Sequence, residues 1–256
     1  MMILIDVGNS RVKWATLEKE SLHFGGAFLN QIDQFETALN EQISVPTTPS
    51  RILVSNVAGY EVRQPFIEWA KKQWQLIPEF ITPTAKAHGV TIAYQDPEKM
   101  GADRWIALIA AWQRYQSALC VISCGSAITI DVLDREGIHQ GGYIAPGLML
   151  MRLALTEHTR AGQFNTLPPA VSPPLTLANS TELAINNGTA AMAAGFINQT
   201  IEQYMNEEYE RDALSYPPPI ILAGGDADIV NPYLHFFTQS HPYLVLEGLA
   251  YLAKNS

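Results

Sequence analysis

Cysteine is scarce in this chain of 256 residues: there are two, Cys120 and Cys124. Both fall in an apolar run that predicts a strand, where four residues span about 13 Å. A disulfide needs Cα atoms within about 7 Å, so the pair reads as buried thiols rather than a crosslink. The six histidines are scattered, with no HxH or HExxH spacing, and give no zinc pattern. Positive charge is also short. The 16 Lys+Arg against 25 Asp+Glu leave −9, so no basic surplus exists to neutralise a nucleic acid or an anionic membrane. A small anion, which needs only a local set of donors, remains admissible. Long hydrophobic runs are absent too. The most continuous apolar or small stretch, Gly188 to Ile197, is far below the roughly 18 residues that cross a bilayer. Asp6 interrupts the one N-terminal run that could resemble a signal peptide. These absences predict a cytoplasmic protein. Neither GxxxxGK[ST] nor a strand followed by GxGxxG occurs, which excludes the P-loop and Rossmann scaffolds.

The remaining composition is that of a globular protein, 47% hydrophobic, and the length suits one large domain or two modest ones. Met2 to Val7 predicts a strand, Gly8-Asn9-Ser10 a turn, and Val12 to Leu17 a returning strand, together a hairpin. Arg51 to Val57 predicts a further strand and residues 65–74 a helix. Trp105, Leu108, Ile109 and Trp112 recur at helical spacing. Residues 118–124 and 127–133 form a second strand pair around Gly125-Ser126. Ile3 to Asn9 overlays Cys120 to Ser126 in pattern, with Ser123 over Asp6, which suggests two halves of similar architecture. Pro146 would open a helix to about residue 160, and residues 165–177 a Pro-rich loop. A long helix follows a cap at Ser180 or Thr181. Within it Gly188 and Gly195 suggest close approach by another helix or a partner chain. Ile220 to Ala223 predicts a buried strand ending in Gly224-Gly225, and residues 243–253 a closing helix. Interleaved strands and helices define an α/β protein.

Three strands thus end in glycine turns, where backbone N–H groups can approach a phosphate unobstructed. Asp6 sits inside an apolar strand, where an unpaired carboxylate costs several kcal/mol. It is either a turn acceptor or a partner for a cation. Arg11 and Lys13 lie close by, on a solvated face or beside the same phosphate. At Gly101-Ala102-Asp103-Arg104, a loop gives way to the amphipathic helix. Asp103 could simply cap the helix with Arg104 solvated, or act as a base for a hydroxyl with Arg104 holding an anion.

In combination these segments resemble the type III pantothenate kinases of the acetate/sugar kinase, Hsp70 and actin superfamily, over nearly the whole chain. Asp6-x-Gly8-Asn9-Ser10 with Lys13-Trp14 is similar to the family's first phosphate motif, and Gly101-Ala102-Asp103-Arg104 with Tyr94 and Pro97 upstream to its substrate motif. Gly125-Ser126-Ala127-x-Thr129 is similar to the second phosphate motif, Gly141-Gly142-x-Ile144-x-Pro146-Gly147 to an internal signature, and Thr181-x-x-Ala184-x-x-x-Gly188 to a late substrate motif. Gly224-Gly225 falls where the family has a glycine pair near the nucleotide.

The resemblance implies two actin-like (ribonuclease H-like) subdomains, each a mixed sheet flanked by helices, with the active-site cleft between them. They are expected over 1–116 and 117–256. It implies ATP-dependent phosphorylation of the pantothenate hydroxyl, the first step towards coenzyme A, with Asp103 as proton acceptor. Tyr94, Gly101, Ala102, Asp103, Arg104 and Thr181 would bind pantothenate. Asp6, Val7, Gly8, Asn9, Ser10, Arg11, Val12, Lys13 and Ser126 would hold ATP, with Asp6 orienting Mg2+, and the protein would be a homodimer. One departure concerns Ser123. Many members carry Asp there and coordinate K+ or NH4+, so a monovalent cation is in doubt here unless another acid such as Asp131 compensates. A non-catalytic regulator on the same scaffold and a sugar or acetate kinase are the alternatives. The presence of Asp6 and Asp103 speaks against the first, and Gly101 to Arg104 after Tyr94 against the second.

Overall fold

A computed structural model describes residues 1–158, 175–212 and 217–255. The chain divides into two compact units, Met1–Arg114 with Tyr243–Ser256, and Tyr115–Pro242. The C-terminal stretch thus belongs with the first unit.

The first unit is built on strands β1 (Met2–Val7), β2 (Arg11–Glu18) and β3 (Ser21–Leu29), then helix α1 (Phe35–Gln42), β4 (Ile52–Asn56), α2 (Tyr60–Trp74) and a short β5 (Glu79–Phe80). A small hairpin of β6 (Lys86–Ala87) and β7 (Val90–Thr91) precedes α3 (Ala102–Tyr115). The sheet order is β3-β2-β1-β4-β5, with β1, β2 and β3 antiparallel in turn and β4 and β5 parallel to β1. The central strand β1 is almost wholly apolar and is covered on both faces: Ile3, Leu4, Ile5 and Val7 are buried. On one face Trp69 and Phe66 of α2 and Phe35 and Leu39 of α1 join Ile3, Ile5 and Val54 in one core.

The second unit repeats this plan. β8 (Leu119–Cys124), β9 (Ala127–Leu133) and β10 (His139–Pro146) form an antiparallel meander, followed by α4 (Leu148–His158) and α5 (Thr181–Asp212). Strand β11 (Ile220–Ala223), helix α6 (Ala227–Val230) and strand β12 (Gln239–Ser240) complete it. The order β10-β9-β8-β11-β12 and the strand directions match the first sheet position for position. Alternate residues Cys120, Ile122, Ile128 and Ile130 pack against Ala193, Ala194 and Ile197 of α5. The chain then returns to the first unit as α7 (Leu244–Asn255), which packs across β1, β2 and β4 with Leu244, Leu249 and Leu252 buried.

The sequence overlay suggested two similar halves, and the paired architecture is the actin-like one that the family resemblance implied. Several details differ. Strands β3 and β10 and helix α1 were not foreseen. Pro146 is the last residue of β10 rather than the opening of a helix, and α4 begins at Leu148. The expected end of that helix and most of the Pro-rich loop lie outside the described residues. Open space surrounds the positions where a Cβ would sit at Gly188 and Gly195, so no described helix of this chain presses on them. Among the described residues no helix is long and apolar enough to cross a membrane.

Candidate active site

The register of the first sheet brings three polar side chains into one row. Asp6 pairs with Lys13 across the antiparallel β1–β2 ladder and with Ser55 across the parallel β1–β4 ladder. Register partners project to the same face, so Lys13, Asp6 and Ser55 lie side by side on three neighbouring strands. Asp6 is half-buried; its Oδ1 is shut off from solvent and has no hydrogen-bond donor. Ser55 is 0% exposed, and its Oγ makes no hydrogen bond of full geometry although it is close enough to Asp6 to act on the carboxyl. Burial, and then repulsion from the nearby Asp103 carboxylate, push the Asp6 carboxyl up to about 7; Lys13 and Ser55 pull the other way without prevailing. Asp6 is therefore no simple turn acceptor, and Lys13 is not on a solvated face: it is half-buried beside the acid.

The turn after β1 is closed by Gly8 N–H donating to the Arg11 carbonyl at 3.0 Å. Asn30, at the end of β3, holds the turn from outside. Its side-chain amide donates to the Gly8 carbonyl at 2.8 Å, and its backbone N–H donates to the Ser10 carbonyl at 3.0 Å. Asn9, Ser10 and Arg11 are left exposed on this braced loop, while Val7 and Val12 are buried beneath it. Asn30 was not anticipated, because an Asn after an unrecognised strand carries no local signal.

Asp103 reaches the same neighbourhood from α3. It is the second residue of that helix, not its cap, and its Oδ1 accepts the Arg104 N–H at 2.8 Å. The carboxylate lies so close over the preceding turn that a Cβ at Gly101 would come within 2.7 Å of Oδ1. A glycine is thus required there for Asp103 to keep its position. The buried Ala102 anchors the first turn. Arg104 is not solvated: it is buried, its Nη1 donates to the Tyr94 hydroxyl at 2.9 Å, and its Cζ lies 5.8 Å from the centre of the Tyr94 ring. Within the first unit, then, Asp6, Lys13, Asp103, Gly101, Arg104 and Tyr94 form two linked groups, one acidic and one cationic.

Ser126 and Thr181 belong to the second unit. Gly125 N–H donates to the Ala127 carbonyl and Gly147 N–H to the Ser126 carbonyl, both at 3.0 Å. Gly224 sits at φ +99°, where any Cβ would overlap the Cys124 backbone, and Asp226 N–H donates to the Cys124 carbonyl at 2.9 Å. The glycine pair after β11 is thus pressed onto the end of β8, beside the Gly125-Ser126 turn. Arg152 of α4, 1% exposed, lies near Asp226 and donates from Nε to Thr189 Oγ1 at 3.3 Å. Arg152 is another residue that the sequence pattern did not flag. Ser180 accepts the Leu183 N–H at 3.3 Å and caps α5, leaving Thr181 exposed on its first turn. Ser123 pairs with Thr129 and Ala223, so the matching row of the second sheet is neutral. Asp131 does not stand free to compensate: it is buried and bound to His139 Nε2 at 3.0 Å. Burial pushes both cysteine thiols up, Cys124 to about 12, as inert core groups.

A duplicated sheet with glycine-ended first strands, one of them carrying a buried acid, defines a protein of the actin-like class. Solved structures agree on the fold. The ethanolamine utilization protein EutJ from Carboxydothermus hydrogenoformans aligns with a TM-score of 0.56 at 13% identity, over 97% of this chain and 88% of its own. A Campylobacter jejuni protein provisionally named a Baf family transcriptional activator aligns with a TM-score of 0.55 at 22% identity, over 99% and 98%. The sequence comparisons go further. The family model for type III pantothenate kinase matches residues 2–203. The type III pantothenate kinase of Nitrosococcus oceani is 37% identical over 100% of this chain and 95% of its own length. That of Alcanivorax borkumensis is 32% identical over 99% and 98%. The chain belongs to the type III pantothenate kinase family.

Proposed function

We propose that the protein transfers the γ-phosphoryl group of ATP to the primary hydroxyl of pantothenate, giving 4'-phosphopantothenate and ADP. Family membership supplies the reaction. The observation that carries it to particular residues is the meeting of Asp6 and Asp103, from different elements, close enough to repel. Phosphoryl transfer asks mainly for positioning and charge neutralisation, and these groups have the chemistry for both. Asp103 takes the hydroxyl proton as that oxygen bonds to the γ-phosphorus; the bond to the bridging oxygen breaks and ADP leaves with its electron pair. Arg104, hydrogen-bonded to the Tyr94 hydroxyl, suits the pantothenate carboxylate, with Gly101 and Ala102 beside it in the same motif; Thr181, in the second unit, is a further candidate contact. The braced turn from Val7 to Lys13 offers backbone N–H groups, Ser10, Arg11 and Lys13 to the phosphates of ATP; Ser126, in the second unit, is a further candidate for the same ligand.

Mg2+ suits the acid at Asp6. A carboxylate is a hard oxygen donor, and Asp6 as a whole is half-buried rather than sealed, so it can turn its outer oxygen to an ion while Oδ1 faces inward. Among the described residues no cluster of three or more His, Cys, Asp or Glu could hold an ion alone, which fits a metal held by one carboxylate with phosphates and water. When bound, the ion neutralises phosphate charge. A monovalent cation has little to hold it in the neutral row at Ser123. A homodimer is supported by the apolar surface of the second unit, where Ile144 is 64% and Met192 66% exposed, and by the open space over Gly188 and Gly195. The cytoplasm suits a biosynthetic kinase with two buried, reduced thiols.

The deciding experiment is a coupled ADP-release assay with pantothenate, a sugar and acetate in parallel. ADP release with pantothenate alone is expected. Release with a sugar or acetate instead, or with none, moves the chain to one of the alternatives.

A further inference from the structure

In the Lys13–Asp6–Ser55 row, Asp6 Oδ1 and Ser55 Oγ are buried on adjacent parallel strands; neither makes a hydrogen bond of full geometry, yet the serine hydroxyl is near enough to act on the carboxyl as a donor does. A buried hydroxyl held short of a well-formed hydrogen bond costs stability, and the architecture does not call for one at this place. The second unit builds the same three-strand crossing as Thr129–Ser123–Ala223, with a methyl group at the position of Ser55. The hydroxyl is therefore particular to the sheet that carries the acid. Ser55 is 0% exposed, so it cannot touch a substrate, and any part it plays passes through its neighbour. In-register residues on adjacent strands lie about 5 Å apart, and rotation of the serine side chain is enough to bring its hydroxyl onto the carboxylate.

We propose that Ser55 is a positioning residue for Asp6: in the loaded site its hydroxyl donates to the inner oxygen, Oδ1, and so commits Oδ2 to the cation and phosphates. The proposal rests on the reading of Asp6 given above. That bond would set which carboxylate oxygen faces inward against the push of Asp103 and the pull of Lys13. Loading the site is what makes an ordered carboxylate worth the buried hydroxyl.

The test is Ser55→Ala in the full-length protein, a substitution that copies what the second sheet already has. Three quantities are read: the thermal midpoint without ligands, the affinity for Mg·ADP by calorimetry, and the steady-state constants with their Mg2+ dependence. The expected result is a midpoint equal to or above that of the wild type. Mg·ADP binding weakens several-fold and kcat falls roughly tenfold, the scale of a lost hydrogen bond to a charged group, while the KM for pantothenate stays unchanged. Ser55→Cys, of similar size with a weak donor, falls between. Wild-type Mg·ADP affinity and Mg2+ dependence in Ser55→Ala overturn the proposal. So does a midpoint lowered by several degrees with equal losses for both substrates, the mark of a packing role. If the wild type itself releases no ADP with pantothenate, the functional reading fails, and the Mg·ADP comparison still decides the role of Ser55.

Discussion

The two sheets have the same order and the same strand directions, yet they end their first strands differently. In one, Asp6 stands between Lys13 and Ser55; in the other, Ser123 stands between Thr129 and Ala223. The turns differ too. Val7 pairs with Val12, whereas Cys124 pairs with Ile128, so the first hairpin carries one more residue in its loop and needs Asn30 to brace it. One sheet has kept the charge, the other the compact glycine contacts. The buried acid of the second unit, Asp131, has been turned to a different use, bonded to His139 deep in the sheet. Duplicated folds need not duplicate chemistry: the backbone supplies two equivalent places, and side chains decide which one handles charge.

That asymmetry can be broken experimentally. The largest effect is expected outside the rows, at the base they serve. Asp103→Asn should lower kcat by roughly 100-fold or more while Mg·ADP affinity stays within a few-fold; near-normal turnover would remove Asp103 from the mechanism. Asp6→Ala should cost more than tenfold in kcat, and Ser123→Ala less than about threefold, measured side by side. Equal losses would mean that the neutral row carries as much of the reaction as the charged one. Tyr94→Phe takes one hydrogen bond from Arg104 and should raise the KM for pantothenate about fivefold with kcat nearly unchanged. A loss confined to kcat would place Tyr94 elsewhere in the cycle.

A stability measurement sharpens the same contrast. The Asp6 carboxyl is raised from 3.8 to about 7 in the folded protein. Its protonated form therefore favours the fold below about pH 4, and that contribution is lost as pH rises through 7. Asp6→Asn should raise the ligand-free midpoint at pH 8 by about 5 °C, with the difference vanishing near pH 4. A constant difference across that range would show that charge is not the cause. The smallest effect concerns monovalent cations. Exchanging Na+ for K+ should change the wild-type rate less than about twofold, and Ser123→Asp should increase the response. A steep K+ dependence in the wild type would contradict the neutrality of that row.

Much of this was legible from the residues. Apolar runs closed by glycine located β1, β8 and β11, and the overlay of Asp6 on Ser123 anticipated the register the two sheets share. The sequence around Asp103 gave its proximity to substrate chemistry by family resemblance alone, and nothing local gave its closeness to Asp6. The strands that escaped notice have physical reasons for doing so. β3 is interrupted by Gly25 and Gly26, and β10 is an edge strand with Gly141, Gly142, Tyr143 and Ile144 in no alternating pattern. Pro146 at a strand end looks the same in sequence as Pro at a helix start. Asn30, Ser55 and Arg152 were missed because each acts across long sequence separations, through a register or a helix contact that only the folded chain creates. The allegiance of α7 was invisible for the same reason: an amphipathic helix does not say which sheet it will cover.

That allegiance has a consequence for biogenesis. Residues 115–242 are contiguous, so the second unit has all its parts as soon as they emerge from the ribosome. The first unit does not. Its sheet appears first, but the helix that shields β1 and β4 comes only after translation has passed Asn255. The half that carries the acidic pair must therefore wait, partly uncovered, while the later half takes shape.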